Sequence, residues 1–305
     1  FESFEAQRQA FDIVEERAMK VHYCKEHPKH YVCKRPRSGL SAGDWEYTDD
    51  GSWVKLFAYA ADQGNRQDID GYKDSMGGIA FGADTMFGDV ALVGVAFSWS
   101  SLDIHHKGLD AKTNANSYQE TLYGNYEFDS PWFLNWAAGI AYNSYNIDST
   151  IMFGDLVLAP AAKFHGWQTG AKVEIGYDIE NIFIRTIPLA SLYYSHLDLS
   201  EYTQRGIDTA DQQVNESNKS MLLAGVGVKF AYDYTYDNIL YQPEAHMMTF
   251  YDFVGDQMEV TSQFVGAGPN FLTVGFKPAR GIFNLGGSMN VFVDTGFIFS
   301  LQVDW

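Results

Sequence analysis

The chain lacks any uninterrupted apolar run near the roughly 18 residues that a membrane-crossing helix needs, although 46% of its 305 residues are hydrophobic. The longest such run, around Val90–Phe97, is strand-sized and contains Gly94. With a mean hydropathy of −0.22, apolar residues are spread along the chain rather than massed, which excludes a helical membrane protein. Basic residues are also scarce: 21 Lys and Arg against 39 Asp and Glu give a net charge of −18. No nucleic acid is expected as a partner, since phosphate binding needs a basic surface, and a strongly anion-selective pore is disfavoured. Cysteine is limited to Cys24 and Cys33, and proline to 8 residues. The opening residues 1–20 hold no continuous apolar core of the kind a secretory leader carries. An exported protein that starts this way is expected to have lost its leader upstream.

Aromatics are abundant, with 19 Tyr, 22 Phe and 7 Trp, and glycine is frequent at 28. Segments that alternate between a large apolar set and a small or polar set recur along most of the chain. In 132–146, Trp132, Leu134, Trp136, Ala138, Ile140 and Tyr142 oppose Asn135, Ala137, Gly139, Ala141 and Asn143. In 165–179, Trp167, Thr169, Ala171, Val173, Ile175 and Tyr177 oppose Gln168, Gly170, Lys172, Glu174, Gly176 and Asp178. A soluble sandwich also alternates, so strand length decides. These strands reach about 11 residues, against a globular mode of roughly 5–6 and a membrane-strand requirement of about 9–11. Lys172 and Glu174 stand mid-strand on the small-residue face, where a water-filled lumen can solvate them and lipid cannot.

The pattern predicts an all-β fold, a transmembrane antiparallel up-and-down β-barrel, in three parts: a helix at 1–22, a polar linker at 23–51 and the barrel at 52–305. Eleven strands are counted, near 52–62, 73–84, 89–102, 115–128, 131–147, 163–179, 181–200, 218–234, 238–253, 280–293 and 295–305. Short links at 129–130, 180 and 235–237 alternate with long polar stretches at 103–114, 147–163, 201–218 and 254–280, as barrels of this kind require. The seventh strand carries Pro188, which a ladder tolerates poorly. An odd count conflicts with the even strand number of single-chain bacterial barrels.

In the first segment Phe4, Phe11, Val14, Ala18 and Val21 recur at helical spacing among charged residues that include Glu16, Arg17 and Lys20. So narrow a stripe suits a helix inside a hydrated pore, or one lying on a surface. The expected lumen face holds Gly78, Ala80 and Gly82 beside Gly94, Ala96 and Ser98, small residues that leave room for a helix backbone. Lys172, Glu174, Lys229, Glu244 and His246 are expected on the same inner surface, either as a network gripping the helix through Arg17, Lys20 or Glu16 or as ordinary lumen polarity.

Residues 41–84, SAGDWEYTDDGSWVKLFAYAADQGNRQDIDGYKDSMGGIAFGAD, resemble the start of an autotransporter β-domain. The family's G-x-W-x-x-x-F stretch is matched by Gly51, Trp53 and Phe57, its G-Y by Gly71 and Tyr72, and its G-G-x-x-x-G-x-D strand by Gly77, Gly78, Gly82 and Asp84. DVALVGVAFSWS is similar to the family's third strand, and FLTVGFKPARGIFNLGGS to its late segment. The nearest flavour is that of rickettsial surface-antigen autotransporters. The resemblance implies a 12-stranded barrel in the bacterial outer membrane, plugged by the helix and serving type V secretion of its own upstream passenger domain. It implies contact with outer-membrane lipid and lipopolysaccharide and with the barrel-assembly machinery. It also implies that Trp305 ends an eleventh strand with a twelfth beyond it. The rival reading takes GFIFSLQVDW as the terminal strand itself.

Family members that cut their own passenger do so at an Asn–Asn bond inside the barrel. Residues 1–21 contain no Asn, so that chemistry is not expected here. A disulfide between Cys24 and Cys33 is the default in an oxidising compartment. The same run spells C-x2-H-x2-H-x2-C with His27 and His30, a zinc-capable set whose spacing is not a standard finger; no metal and no cofactor are assigned. A barrel hydrolase would need Ser and His in hydrogen-bond reach. Ser195 and His196 are neighbours and point to opposite strand faces. His105 and His106 read as solvated loop residues near Asp103, and Ser191, Ser195 and Asp198 form no recognised pattern. No catalytic residue is assigned, and the protein is expected not to be an enzyme. The alternatives to a translocator are a porin-like passive channel and a barrel hydrolase.

Overall fold

The computed structural model describes residues 2–26 and 50–304, apart from 65–70, 89, 109, 154–155, 180–183, 207–210, 233, 237–238, 256–258, 266–267, 275–277 and 293–297. The fold begins with a 25-residue helix, α1 (Glu2–Glu26). At 1.5 Å per residue it is about 37 Å long, enough to run through a membrane-thick wall. It passes the expected end at 22 because no breaker precedes Pro28.

Eleven long strands then form one antiparallel sheet in the order β1-β2-β3-β4-β5-β7-β8-β11-β13-β16-β17. Their ranges are β1 Asp50–Gln63, β2 Tyr72–Phe87, β3 Ala91–His106, β4 Asp110–Glu127, β5 Trp132–Phe153, β7 Ala161–Tyr177, β8 Arg185–Leu199, β11 Ser217–Ala231, β13 Ile239–Asp252, β16 Gly281–Phe292 and β17 Ile298–Asp304. Each pairs with the next long strand in the chain, the meander expected of an up-and-down wall. Two three-residue strands extend the sheet: β6 (Leu156–Leu158) on β5 and β12 (Tyr234–Tyr236) on β13. Among the described residues no ladder joins β1 to β17.

The alternating sets divide between two environments. Outward lie Val95, Leu122, Ile140, Val173, Leu192 and Val226, all exposed. No second sheet covers them, because the one other sheet among the described residues is built from loop strands at one end. Tyr126, Trp132, Tyr232 and Tyr236 fringe this apolar surface near the short turns, and Trp99, Tyr118 and Trp167 fringe it toward the other end. Two aromatic girdles around an apolar band are what a bilayer selects. Strand-interior glycines serve this packing where large rings turn inward. A Cβ on Gly78 would lie 2.3 Å from the Phe57 ring, on Gly82 2.7 Å from Trp53, and on Gly94 2.4 Å from Tyr123. Their small size makes room for these wall aromatics.

Several strands run past the membrane at the long-loop end. The stretch 103–114, expected as a long loop, is instead the top of the β3–β4 hairpin, closed near Gly108 with a φ of 78°. Water on both faces removes the apolar–polar alternation there, so the pattern fades while the hydrogen-bonded ladder continues. The stretch 147–163 is likewise mostly strand. The loops at 201–218 and 254–280 join in a separate sheet, ordered β15-β14-β10-β9, from β9 (Tyr202–Gln204), β10 (Gln212–Val214), β14 (Glu259–Phe264) and β15 (Phe271–Val274). Pro188 is accommodated because the β7–β8 ladder stops at Gly176 opposite Leu189, one residue before the missing N–H would be needed.

Candidate functional site: the occupied lumen

Helix α1 lies inside the curl of the sheet, closest to β4 and β5. Phe4, Phe11, Val14 and Ala18 are buried, Phe11 completely, with Phe11 edge-on to Tyr193 at 6.1 Å. Polar residues on the other sides of the helix are buried too: Gln7, Glu15 and Arg17 are each under a tenth exposed. A helix with little apolar surface thus buries polar side chains too, which polar partners in the wall make tolerable, while Asp12 and Glu16 on one face stay partly exposed.

Those partners form tiers along the helix. Near its start, Ser3 Oγ meets the Tyr145 hydroxyl at 2.6 Å. One turn on, Gln7 Oε1 accepts from Ser195 Oγ at 2.6 Å, from Gln168 Nε2 at 3.3 Å and from the Tyr193 hydroxyl at 3.3 Å. In the middle, Lys172 Nζ donates to Asp12 Oδ1 at 2.6 Å and also to Glu15. Glu16 pairs with Lys55. Toward the end, Arg17 grips Asp84 with both arms, Nε to Oδ2 and Nη2 to Oδ1, each at 2.8 Å. The Tyr123 hydroxyl donates to Asp84 Oδ2 at 2.7 Å and accepts from Trp53 Nε1 at 2.7 Å. Bidentate, charge-assisted geometry of this kind is the strong form of the ion pair.

The strands fix these positions by alternation. Asp84 on β2, Tyr123 on β4, Lys172 on β7 and Ser195 on β8 all lie on the face that carries the buried residues. Glu174, also buried, accepts from Asn135 at 3.5 Å, and Asn135 accepts from Asn125 at 2.8 Å. Lys229 lies among Glu174, Glu244 and Glu15. Glu244 accepts from Ser288 at 3.3 Å, and His246 meets Asn284 Oδ1 at 2.9 Å. Gly78, Ala80, Gly82, Gly94 and Ala96 line the same inner face.

Of the residues singled out in the sequence, Arg17 and Lys172 do bind across the helix–wall boundary, but not to each other's neighbours. Arg17 goes to Asp84 rather than to Glu174 or Glu244, and Lys172 reaches Asp12 and Glu15. The side chain of Lys20 lies outside the described residues, as do Cys33, His27 and His30 and the side chain of Cys24. Sequence reasoning missed Gln7, Asp12, Glu15, Tyr123 and Ser195. Asp84 was visible only as the last letter of the G-G-x-x-x-G-x-D strand.

Above the girdle, charged residues cross-link the rim. Lys107 and Lys73 both pair with Asp62, the latter at 3.4 Å. The hydrogen bond from Lys107 holds the Asp62 carboxyl below its ordinary range. Burial, helped by His105, lowers His106. Asp103 is taken by Lys112 at 3.1 Å and by Asn114, so it does not orient either histidine.

The long loops and the short turns lie at opposite ends of the strands, which marks the long-loop end as external. Tyr145, near the long-loop end of β5, meets the start of the helix, and Asp84, near the short-turn end of β2, meets its later turns. The helix therefore runs from the external mouth inward.

The sequence profile of the family described as autotransporter beta-domain matches residues 52–304. Outer membrane protein B of Rickettsia prowazekii is 24% identical over 306 residues, covering 96% of this chain and 18% of that protein. Outer membrane protein A of Rickettsia conorii is 26% identical over 253 residues, 77% of this chain and 12% of that protein. The chain thus spans under a fifth of these relatives' length. Among solved structures, the translocator domain of the autotransporter NalP from Neisseria meningitidis superposes with a TM-score of 0.65 at 10% identity, over 95% of this chain and 92% of that one. The β-domain of the Bordetella autotransporter BrkA gives 0.52 at 14% identity, over 79% of this chain and 92% of that one. Fold, girdles and relatives agree on a bacterial outer-membrane barrel. The chain belongs to the autotransporter β-domain family and is an outer-membrane translocator barrel.

Proposed function

We propose that the domain anchors a larger surface protein in the outer membrane, takes part in exporting that protein's upstream passenger through the lumen, and is then closed by α1. The observation that carries this reading is the helix seated by Arg17–Asp84 and by Lys172 with Asp12 and Glu15. A wall that only passed solutes would have no need of buried ionic partners matched to a helix of the same chain. The helix direction supports the reading, since a segment preceding α1 leaves by the external mouth. Export itself needs no enzymatic step: transport through the lumen uses shape, hydration and ion pairing. Outer-membrane lipid and lipopolysaccharide would meet the girdled outer face, and the barrel-assembly machinery would insert the sheet.

Single-channel conductance tests the plug. The intact protein should be nearly closed in a planar bilayer, and deletion of residues 1–26 should give a stable, several-fold larger conductance. Equal conductance with and without the helix would favour a passive porin and overturn the proposal.

A further inference from the structure

The outer face of β8 and β11 carries polar residues that neither the girdle nor the lumen uses. His196 Nδ1 lies 2.7 Å from Ser220 Oγ across the β8–β11 ladder, and His196 Nε2 lies 3.2 Å from Asp198 Oδ1, two residues along the same face. Ser195 points the other way into the helix-binding cluster, so this His partners a serine that sequence adjacency does not show. A serine, an imidazole and a carboxylate connected in that order form the constellation of nucleophile, base and orienting group used in acyl transfer. The ring is engaged through both nitrogens, and either imidazole nitrogen can serve as the base.

The surroundings indicate a substrate. The register runs Tyr118, Tyr142 and Trp167 across β4, β5 and β7, and the next positions on β8 and β11 are Asp198 and Asn218. The aromatic row thus gives way to polar residues at this sector. One step further from the external rim lie Thr169, His196 and Ser220, and beyond them Tyr194 and Leu222 above the lipid-facing Leu192. Lys163 and His165 stand nearer the external rim on the outward face of β7. Apolar surface, an interfacial nucleophile and basic groups follow the polarity profile of an outer-leaflet glycerolipid, whose ester carbonyls lie between its acyl chains and its anionic headgroup.

We propose that Ser220, His196 and Asp198 form a hydrolytic site on the outer face of the barrel, acting on ester bonds of glycerolipids in the external leaflet. Ser220 Oγ bonds to the ester carbonyl carbon while its proton passes to His196 Nδ1. The tetrahedral adduct expels the glycerol oxygen, which takes that proton from His196, leaving an acyl-serine. Water then attacks the acyl carbon, giving its proton to His196, and collapse releases the fatty acid and returns the proton to Ser220 Oγ. The net reaction is ester plus water to acid plus alcohol. Asp198 is a positioning residue that orients the ring.

The test uses the full chain purified in detergent and returned to phosphatidylglycerol vesicles, with folding followed by heat-modifiable migration on gels. Fatty-acid release is measured together with covalent labelling by a fluorophosphonate ester. The expected results are release of acid, one label mapped to Ser220, and loss of both in Ser220→Ala and His196→Ala with migration unchanged. Removing either residue should lower turnover at least about 10³-fold. Asp198→Asn should lower kcat with KM unchanged, and Asp198→Glu should restore part of it. A folded protein that releases no acid and takes no label at Ser220, or one whose activity survives Ser220→Ala, overturns the proposal.

Discussion

At the scale of residues, the lumen is organised by a few charges that sit far from water. Arg17 and Asp84 are each almost fully enclosed, so neither could remain alone at low energetic cost. Removing one partner of a buried pair typically destabilises by about 3–5 kcal/mol, whereas replacing both with apolar groups of similar volume is often near neutral. Arg17→Ala is therefore expected to be strongly destabilising, with Asp84 left only Tyr123 as its side-chain donor in this cluster. Arg17→Met combined with Asp84→Leu should recover most of the loss, because Tyr123 keeps its bond from Trp53. Thermal midpoints of the two single variants and the double variant, read as a cycle, check this. Additive losses would mean that the pair does not act as a unit.

At the scale of elements, the question is how closely helix and wall approach. A Cβ on Gly170 would lie 2.1 Å from Gln7 Oε1 and 3.0 Å from the backbone oxygen of Tyr194. Gly170→Val should push Gln7 out of its contacts with Ser195, Gln168 and Tyr193 while leaving a residue that favours the strand. The expected readout is increased conductance with barrel migration unchanged. Gly77→Val is the control, because a Cβ there meets nothing within 4 Å, and it should leave conductance as it was. The same elements show what was legible in sequence. All eleven wall strands were readable because lipid outside and water inside impose a period of two over ten residues or more. The tips of β3, β4 and β5 were not: above the girdle, as at 103–114, both faces meet water and the alternation loses its cause. The enclosed helix could be anticipated from its narrow stripe, but its partners could not. Asp84, Tyr123 and Ser195 come from three different strands, and only the register brings them to one helix. The glycines of β2 and β3 were assigned to the inner face, yet the space they leave is taken by Phe57, Trp53 and Tyr123, because large inward rings on neighbouring strands compete with the helix for the same volume.

At the scale of the whole molecule, charge decides what an emptied barrel would conduct. The wall face around the helix carries Asp74, Asp84, Glu174 and Glu244 against Lys55, Lys172 and Lys229, within a chain whose net charge is −18. With α1 in place, Arg17 neutralises Asp84, and Lys172 is held by carboxylates of the helix. Withdrawing the helix removes Arg17 from Asp84 and Glu16 from Lys55 and leaves Lys172 facing Glu174, so these four carboxylates stand against three lysines, with the enclosed Asp74 lacking a hydrogen-bond partner among the described residues. A low-dielectric wall with an excess of one sign of charge concentrates the opposite ion. The pore lacking residues 1–26 should therefore prefer K⁺ over Cl⁻, with a reversal potential in a salt gradient displaced toward the K⁺ value. The preference should weaken as ionic strength rises and the Debye length falls from about 10 Å at 0.1 M to about 3 Å at 1 M. Asp84→Asn in the helix-less barrel should reduce it further. A reversal potential on the Cl⁻ side would mean that the basic residues, not Asp84 and Asp74, set the field in the opened lumen.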